Sequence, residues 1–361
     1  MKKKVFLGII GALLAVIIVV VIAGIGLVVF YNASLSAVGD AKDKVTVVID
    51  NGTSSRGVED KLYESNLVKN RICGYIYVKL NDDLMLQAGT YELDRGMNFS
   101  EIMEKISNGE ALENSIDVTF IEGKRLVNYV KVISDNFPYT QDEILAKLSD
   151  KVYLEELIED YWFLTDDILN DNLYYALEGY LYPDTYRFNK EATIDTIVRK
   201  MLNETDKVLS EYKPLLKDKY TIHEILTMAS IVELEGSNSD DRAGVAGVFF
   251  NRLEDGWSLG SDVTTYYAAR VEMSERDLWQ YEIDDVNHYN TRPAAMAGKL
   301  PIGPICSPSK DSIKATVKPT KHDYYFFVAD KNGKTYFSKT NAEHNATIAN
   351  LKEQDLWFEY K

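Results

Sequence analysis

From Val5 to Phe30 the chain runs for 26 residues without a charge, dense in Ile, Val and Leu. About 20 consecutive apolar residues carry a helix across a bilayer, so this stretch reads as a membrane span and not as part of a water-soluble core. Lys2, Lys3 and Lys4 precede it and no comparable basic cluster follows closely. That asymmetry predicts a cytoplasmic N-terminus with the remainder of the chain outside the cell membrane. A cleaved signal peptide is the competing reading, but its apolar core runs only about 7 to 15 residues. Residues 1–31 are therefore read as cytoplasmic tip plus uncleaved anchor, and residues 32–44 as a polar linker.

The remainder of the 361 residues is enough for two or three folded units. With 46% hydrophobic and 27% charged residues the whole chain has the balance of a folded protein. The formal net charge of −16 repels polyanions, so no nucleic-acid partner is expected. Cys73 and Cys306 are the only cysteines, too few for a disulfide framework or a thiolate metal site, although one long-range disulfide stays open.

Hydrophobic periodicity predicts an α+β exterior. A strand at Val45–Ile49 leads through Asp50, Asn51 and Gly52 into a helix from Ser54 to Leu67. A second strand, Gln87–Leu93, precedes a helix over Asn98–Ser107 capped by Asn98 or Ser100. The same grammar recurs: Thr185, Tyr186, Phe188, Ile194 and Ile197 stand 95 positions after Thr90, Tyr91, Leu93, Phe99 and Ile102. This predicts a first αβ unit at 45–110 and a second at 111–204, the latter with a helical insertion around Asp142–Asn170; chance similarity of two αβ patterns is the alternative. From 205 to 361 the helices lengthen. Thr221–Glu235 is apolar nearly all round, a buried helix closed by Gly236, and Asp240 is the expected cap of the next. Two short strands flank Asn332-Gly333, which predicts a type I′ hairpin, and a last helix should begin near Asn341.

The four histidines, His223, His288, His322 and His344, show no pairing at helical metal-ligand spacing, and no G-x-S-x-G or glycine-rich phosphate loop occurs. Neither metal nor cofactor is expected. Carboxylate chemistry remains, and the most unusual carboxylates are Glu233 and Glu235 at the end of the apolar helix. Two positions apart means about 200° around the axis, so both cannot serve one site as a close pair. A helical side chain covers the turn before it, which sets Glu233 over the small Ala229 and Ser230 and Glu235 over Ile231 and Val232. Glu233 is thus the expected acid, its pKa raised by an apolar setting. From the residues alone, two ordinary helix-end glutamates, solvated or paired with Arg242, remain an alternative.

The ordered blocks ASIVELEG (229–236), DRAGVAGVFFNRLEDGWSLGSD (241–262), YNT (289–291), LPIGPICSP (300–308) and YFFVADKNGKTYFSKTNAEHN (325–345) resemble the endolytic murein transglycosylase, or YceG-like, family. Upstream, LEGYLYPDTYRF (177–188) and QAGTY (87–91) share the likeness. The resemblance implies a LysM-like module over Val45–Gly109 and a catalytic acid/base at the first acid of the I-V-E-x-E block, here Glu233. Asn251, Asp262, Asn290 and His344 are the candidates for substrate binding. Departures from the family pattern are Val263 in S-D-V-T, Arg292 after Asn290-Thr291, Ile302 before Gly303, and Lys124-Arg125 after Glu122-Gly123.

The implied substrate is the peptidoglycan glycan strand, cut between MurNAc and GlcNAc to leave 1,6-anhydroMurNAc ends, with cell-wall synthases and division or elongation proteins as implied partners. Such a reaction needs one carboxyl group, because the C6 hydroxyl of the sugar replaces water as nucleophile. A non-catalytic peptidoglycan-binding scaffold is the alternative. A muramidase, which needs a second carboxylate, is a third reading, with Asp262 as its only attractive base.

Overall fold

The computed structural model describes residues 2–40, 42–81, 84–112, 114–216, 219–236 and 238–357, with side chains from residue 18 onward apart from those of 239 and 240. The apolar run forms one helix, α1 (Lys2–Leu35), whose Ile18–Leu35 stretch is long and apolar enough to cross a membrane. Its described apolar side chains are mostly exposed, Val19 and Leu27 by 65% and 69%, as suits a lipid-facing surface and not a protein core.

The remaining elements are β1 (Lys44–Ile49), α2 (Ser55–Glu64), α3 (Arg71–Leu80), β2 (Gly89–Asp94), α4 (Phe99–Ser107) and β3 (Ser115–Thr119). They continue with α5 (Leu126–Asn136), α6 (Gln141–Leu148), α7 (Lys151–Asp160), β4 (Thr185–Asn189) and α8 (Ile194–Tyr212). The last stretch carries α9 (Ile222–Glu235), α10 (Ser239–Glu254), α11 (Asp262–Ala268), α12 (Gln280–Asp284) and α13 (Lys310–Val317), then β5 (Phe326–Ala329), β6 (Thr335–Ser338) and α14 (Asn341–Glu353). The class is α+β. Contacts divide the chain into two compact units, residues 1–117 with 187–192, and residues 118–186 with 193–361.

In the first unit β1 pairs antiparallel with β2, Val47 opposite Tyr91, and the inward side chains of both strands meet α2 and α4. Phe99, Ile102, Met103 and Ile106, the helical stripe of α4, are all fully buried. Asn98 is its cap: Asn98 Oδ1 accepts the Glu101 N–H at 3.0 Å, and Glu101 accepts the Asn98 N–H in return. Helix α3 is an addition to the elements anticipated from sequence. Cys73 and Cys306 are buried free thiols.

Strands β3 and β4 pair in turn. Tyr91 and Tyr186 are both buried, and each donates its O–H to the carbonyl four residues earlier, at 2.9 Å to Gln87 and 2.8 Å to Tyr182. Ile102 and Ile197 are both fully buried on the helices that follow. In the second stretch α5, α6, α7 and a 3-10 turn at Asp166–Leu169 stand between the paired strands.

The second unit is centred on α9, packed against α10, α11 and α13. Two local expectations are corrected here. Asn238, not Asp240, caps α10, its side chain accepting the Asp241 N–H at 3.0 Å. The β5–β6 hairpin is present, but among residues 331–333 only Gly333 takes a positive φ, so the turn is not type I′. Asp330 explains the difference, since its carboxylate accepts the Asn332 and Lys334 N–H groups and holds a three-residue loop closed by the glycine.

Candidate active site

Helix α9 starts in a capping box, Thr221 with Glu224, and buries every face from Ile225 to Glu233. Its polar residues are satisfied locally: Thr227 and Ser230 donate to the carbonyls of His223 and Thr227, both at 2.7 Å. The helix stops at Gly236, whose N–H reaches the Val232 carbonyl. Gly236 has φ −85°, so handedness does not require a glycine there. Space does, because a Cβ would lie 2.4 Å from Cγ of Arg242.

Arg242 uses that space to reach Glu233. Its Nη2 donates to Glu233 Oε1 at 2.8 Å, and the pair is enclosed, with 16% and 4% of the side chains exposed. Glu233 Oε2 accepts three further bonds, from the N–H of Ser309 at 2.8 Å, its hydroxyl at 2.5 Å, and the hydroxyl of Ser312 at 2.7 Å. The apolar setting expected for Glu233 is therefore not what the fold builds. Glu233 ties the last turn of α9 to the N-terminus of α13, and both of its oxygens are engaged by protein donors.

Glu235 projects elsewhere. It accepts the Ser261 hydroxyl at 2.6 Å and lines a cavity of about 290 Å³ with Asp262, Arg252, Arg292 and His344, floored by Phe249 and Phe327. Burial raises its pKa above the ordinary glutamate range, an effect opposed by the Ser261 bond and by the charges of Arg252 and Arg292. Arg292 is ion-paired with Asp262 at the exposed rim. His344 stacks on Phe326 at 5.5 Å, and burial together with Arg252 lowers its pKa, which favours the neutral ring.

The sequence candidates thus separate. Asp262 and His344 meet at this cavity, but with Glu235 and not with Glu233. Asn251 donates to the carbonyls of His322 and Tyr324, at 3.0 and 2.9 Å, and lines a different, largely apolar cavity. Asn290 is fully buried, accepting from Thr265 and donating to the carbonyls of Ile283 and Asp285. Both asparagines brace loops, their NH2 groups taken up by backbone carbonyls. A third buried carboxyl, Glu178, is pushed up to about 7 by burial and accepts from the Leu126 N–H and the Tyr267 hydroxyl.

The profile of the YceG-like family matches residues 47–350, a span that holds α9, the cavity and the serine cluster. The chain belongs to the YceG-like family. The endolytic murein transglycosylase of Bacillus subtilis (strain 168) is 34% identical over 309 residues, which cover 85% of this chain and 84% of that one. The one from Streptococcus pneumoniae serotype 2 is 31% identical over 328 residues, covering 86% of this chain and 59% of its own length. The crystal structure of a yceG-like protein from Listeria monocytogenes superposes with a TM-score of 0.60 at 33% identity, over 84% of this chain and 99% of that chain.

In this YceG-like chain, Arg252, Ser261, Ser309 and Ser312 escaped sequence reasoning. Arg292 was visible only as a departure from the family pattern. No local spacing marks them, because Ser309 and Ser312 lie 76 and 79 residues from Glu233 and Ser261 lies 26 from Glu235.

Proposed function

We propose that this chain is a membrane-anchored endolytic murein transglycosylase that cleaves MurNAc-GlcNAc bonds of glycan strands to 1,6-anhydroMurNAc ends. The carrying observation is Glu235, a carboxyl of raised pKa facing a polar cavity whose rim, at Asp262 and Arg292, is exposed. In this reading the acid/base is Glu235, and Glu233, the residue favoured from sequence, is its anchor. Protonated Glu235 donates to the glycosidic oxygen as the bond to the anomeric carbon breaks, and the GlcNAc-side chain leaves. The resulting carboxylate then takes the proton of the C6 hydroxyl as that oxygen closes on the anomeric carbon. Arg252 and Arg292 balance the charge on Glu235 between the two steps. Asp262, held by Arg292, and neutral His344 are the groups proposed to bind sugar hydroxyls. The tethered nucleophile is favoured because its effective concentration far exceeds that of an external reactant.

The strand-helix-helix-strand order of β1, α2, α3 and β2 supports a LysM-like module at 45–110, followed by the second αβ unit at 111–204 and the catalytic part at 205–361. Helix α1 and the three lysines support a single pass with the N-terminus in the cytoplasm. Cell-wall synthases and division or elongation proteins are the proposed partners. Digestion of purified peptidoglycan in heavy-oxygen water tests the reaction: anhydro ends without label are expected. Labelled reducing ends would turn the reading into a muramidase with Asp262 as base, and intact strands would leave the scaffold reading.

A further inference from the structure

A second polar cavity, of about 210 Å³, adjoins the same helix end and is lined by Lys124, Arg125, Asn128, Leu234, Val263 and Glu272. Leu234 directly precedes Glu235 and Val263 directly follows Asp262, so the two cavities share the α9–α11 junction as a wall, with neighbouring wall positions one residue step, about 3.8 Å, apart. Resting on the reading of Glu235 as the acid, we propose that this second cavity is a subsite for a carboxylate of the peptide borne by the glycan strand, with Lys124 as its counter-charge.

The charges in the cavity are not equivalent. Arg125 is committed: it donates to the Val271 carbonyl at 2.7 Å, lies over the Tyr267 ring at 5.2 Å, and stands 3.6 Å from Glu272. The Glu272 charge is thereby matched. Lys124 is exposed and enters no ion pair among the described residues. Its position is set by the backbone: the Gly123 N–H donates to the Ser307 carbonyl at 2.9 Å and the Ser307 N–H returns to the Lys124 carbonyl at 3.0 Å. Gly123 makes that turn with φ +71°. Asn128 accepts the Arg125 N–H through its carbonyl oxygen, which leaves its NH2 group as a donor toward the cavity. One unmatched ammonium and one amide donor, on a chain of net charge −16, select a small anion and not a polyanion. A MurNAc ring reacting at Glu235 carries its peptide on its own lactyl group, so peptide carboxylates are the anions delivered to the neighbouring cavity.

The test uses full-length protein in detergent and three strand preparations: peptide-free glycan, peptide-bearing glycan, and peptide-bearing glycan with its carboxylates amidated. Anhydro ends are counted at limiting substrate. The wild type should show a KM for the free-carboxylate strands about fivefold below that for the other two, the upper range of an exposed ion pair. Lys124→Gln should bring the three values together, and Lys124→Glu should invert the order. Equal wild-type values, or a preference that survives Lys124→Gln, overturns the subsite while leaving the transglycosylase reading intact. Absence of anhydro ends from all three preparations overturns that reading and the subsite with it.

Discussion

The two sides of the last turn of α9 carry the same residue type in opposite surroundings. On one side Glu233 meets four donors, one of them the Arg242 guanidinium, and is 4% exposed in its side chain. On the other, Glu235 receives the Ser261 hydroxyl and otherwise faces a cavity. The difference teaches that burial of an acid is not itself a sign of catalysis. A carboxylate that receives donors on both oxygens has been made part of the scaffold, whereas one left with unused acceptor sites beside open space can still exchange a proton with a ligand.

The sharpest way to break this comparison is to remove each proton carrier in turn. Glu235→Gln is expected to lower the rate of anhydro-end formation by about 10²- to 10⁴-fold, the range for loss of a general acid/base, with the fold retained. Glu233→Gln should keep most activity. Equal losses at both positions, in folded protein, would erase the distinction between the two sides.

Stability should respond in the opposite order. Glu233→Ala leaves the Arg242 guanidinium enclosed and unpaired, and breaking a buried pair costs about 3–5 kcal/mol. Glu235→Ala loses a neutral-to-charged hydrogen bond and a desolvated carboxyl whose raised pKa already marks an unfavourable setting for its charge, so its cost should be much smaller. Thermal unfolding of the two variants in detergent checks the order; a more labile Glu235 variant would contradict the anchor role of Glu233.

The pH profile distinguishes the sides without removing either acid. Arg292 lowers the pKa of Glu235, so Arg292→Gln should raise it further. The protonated acid then persists to higher pH, and the alkaline limb of the activity profile should move upward. A limb that stays in place, or moves down, would mean that the titrating group is not Glu235.

The sequence made much of the frame legible, whereas the surroundings of its polar side chains were not legible, for identifiable reasons. The apolar run of α1, the buried stripe Phe99, Ile102, Met103 and Ile106, and the all-round apolar α9 are local patterns, and local periodicity reports burial directly. The roughly 200° between their helix positions does separate Glu233 from Glu235, which meet different partners. Pairing with Arg242 stood among the alternatives, without a choice between the two glutamates, and the structure gives it to Glu233; Ser309 and Ser312, from the start of α13, were not in view. Asn251 and Asn290 looked like sugar ligands for the same reason: their backbone partners stand in the loop before β5 and at the end of α12, whose approach no spacing announces. The hairpin failed more narrowly, Asn332-Gly333 being overruled by the upstream carboxylate of Asp330.

The smallest effect expected is at Gly236. Its backbone angles suit an alanine, so the substitution adds no strain of handedness. The added Cβ would meet Arg242 Cγ at 2.4 Å and its Cα at 3.2 Å, and the Val232 carbonyl at 3.0 Å, so the arginine must shift along the helix surface. Part of the pairing with Glu233 survives through the flexible side chain, while Ser309 and Ser312 are untouched, which predicts a loss of about 1–2 kcal/mol, typical of a modest overpacking. For a unit of this size that is a fall of several degrees in melting temperature. Because Gly236→Ala acts only through the Glu233 side, the alkaline limb of activity should stay where it is in the wild type. A limb displaced as in Arg292→Gln would show that the last turn of α9 transmits changes from one glutamate to the other, and the two sides would have to be treated as one coupled site.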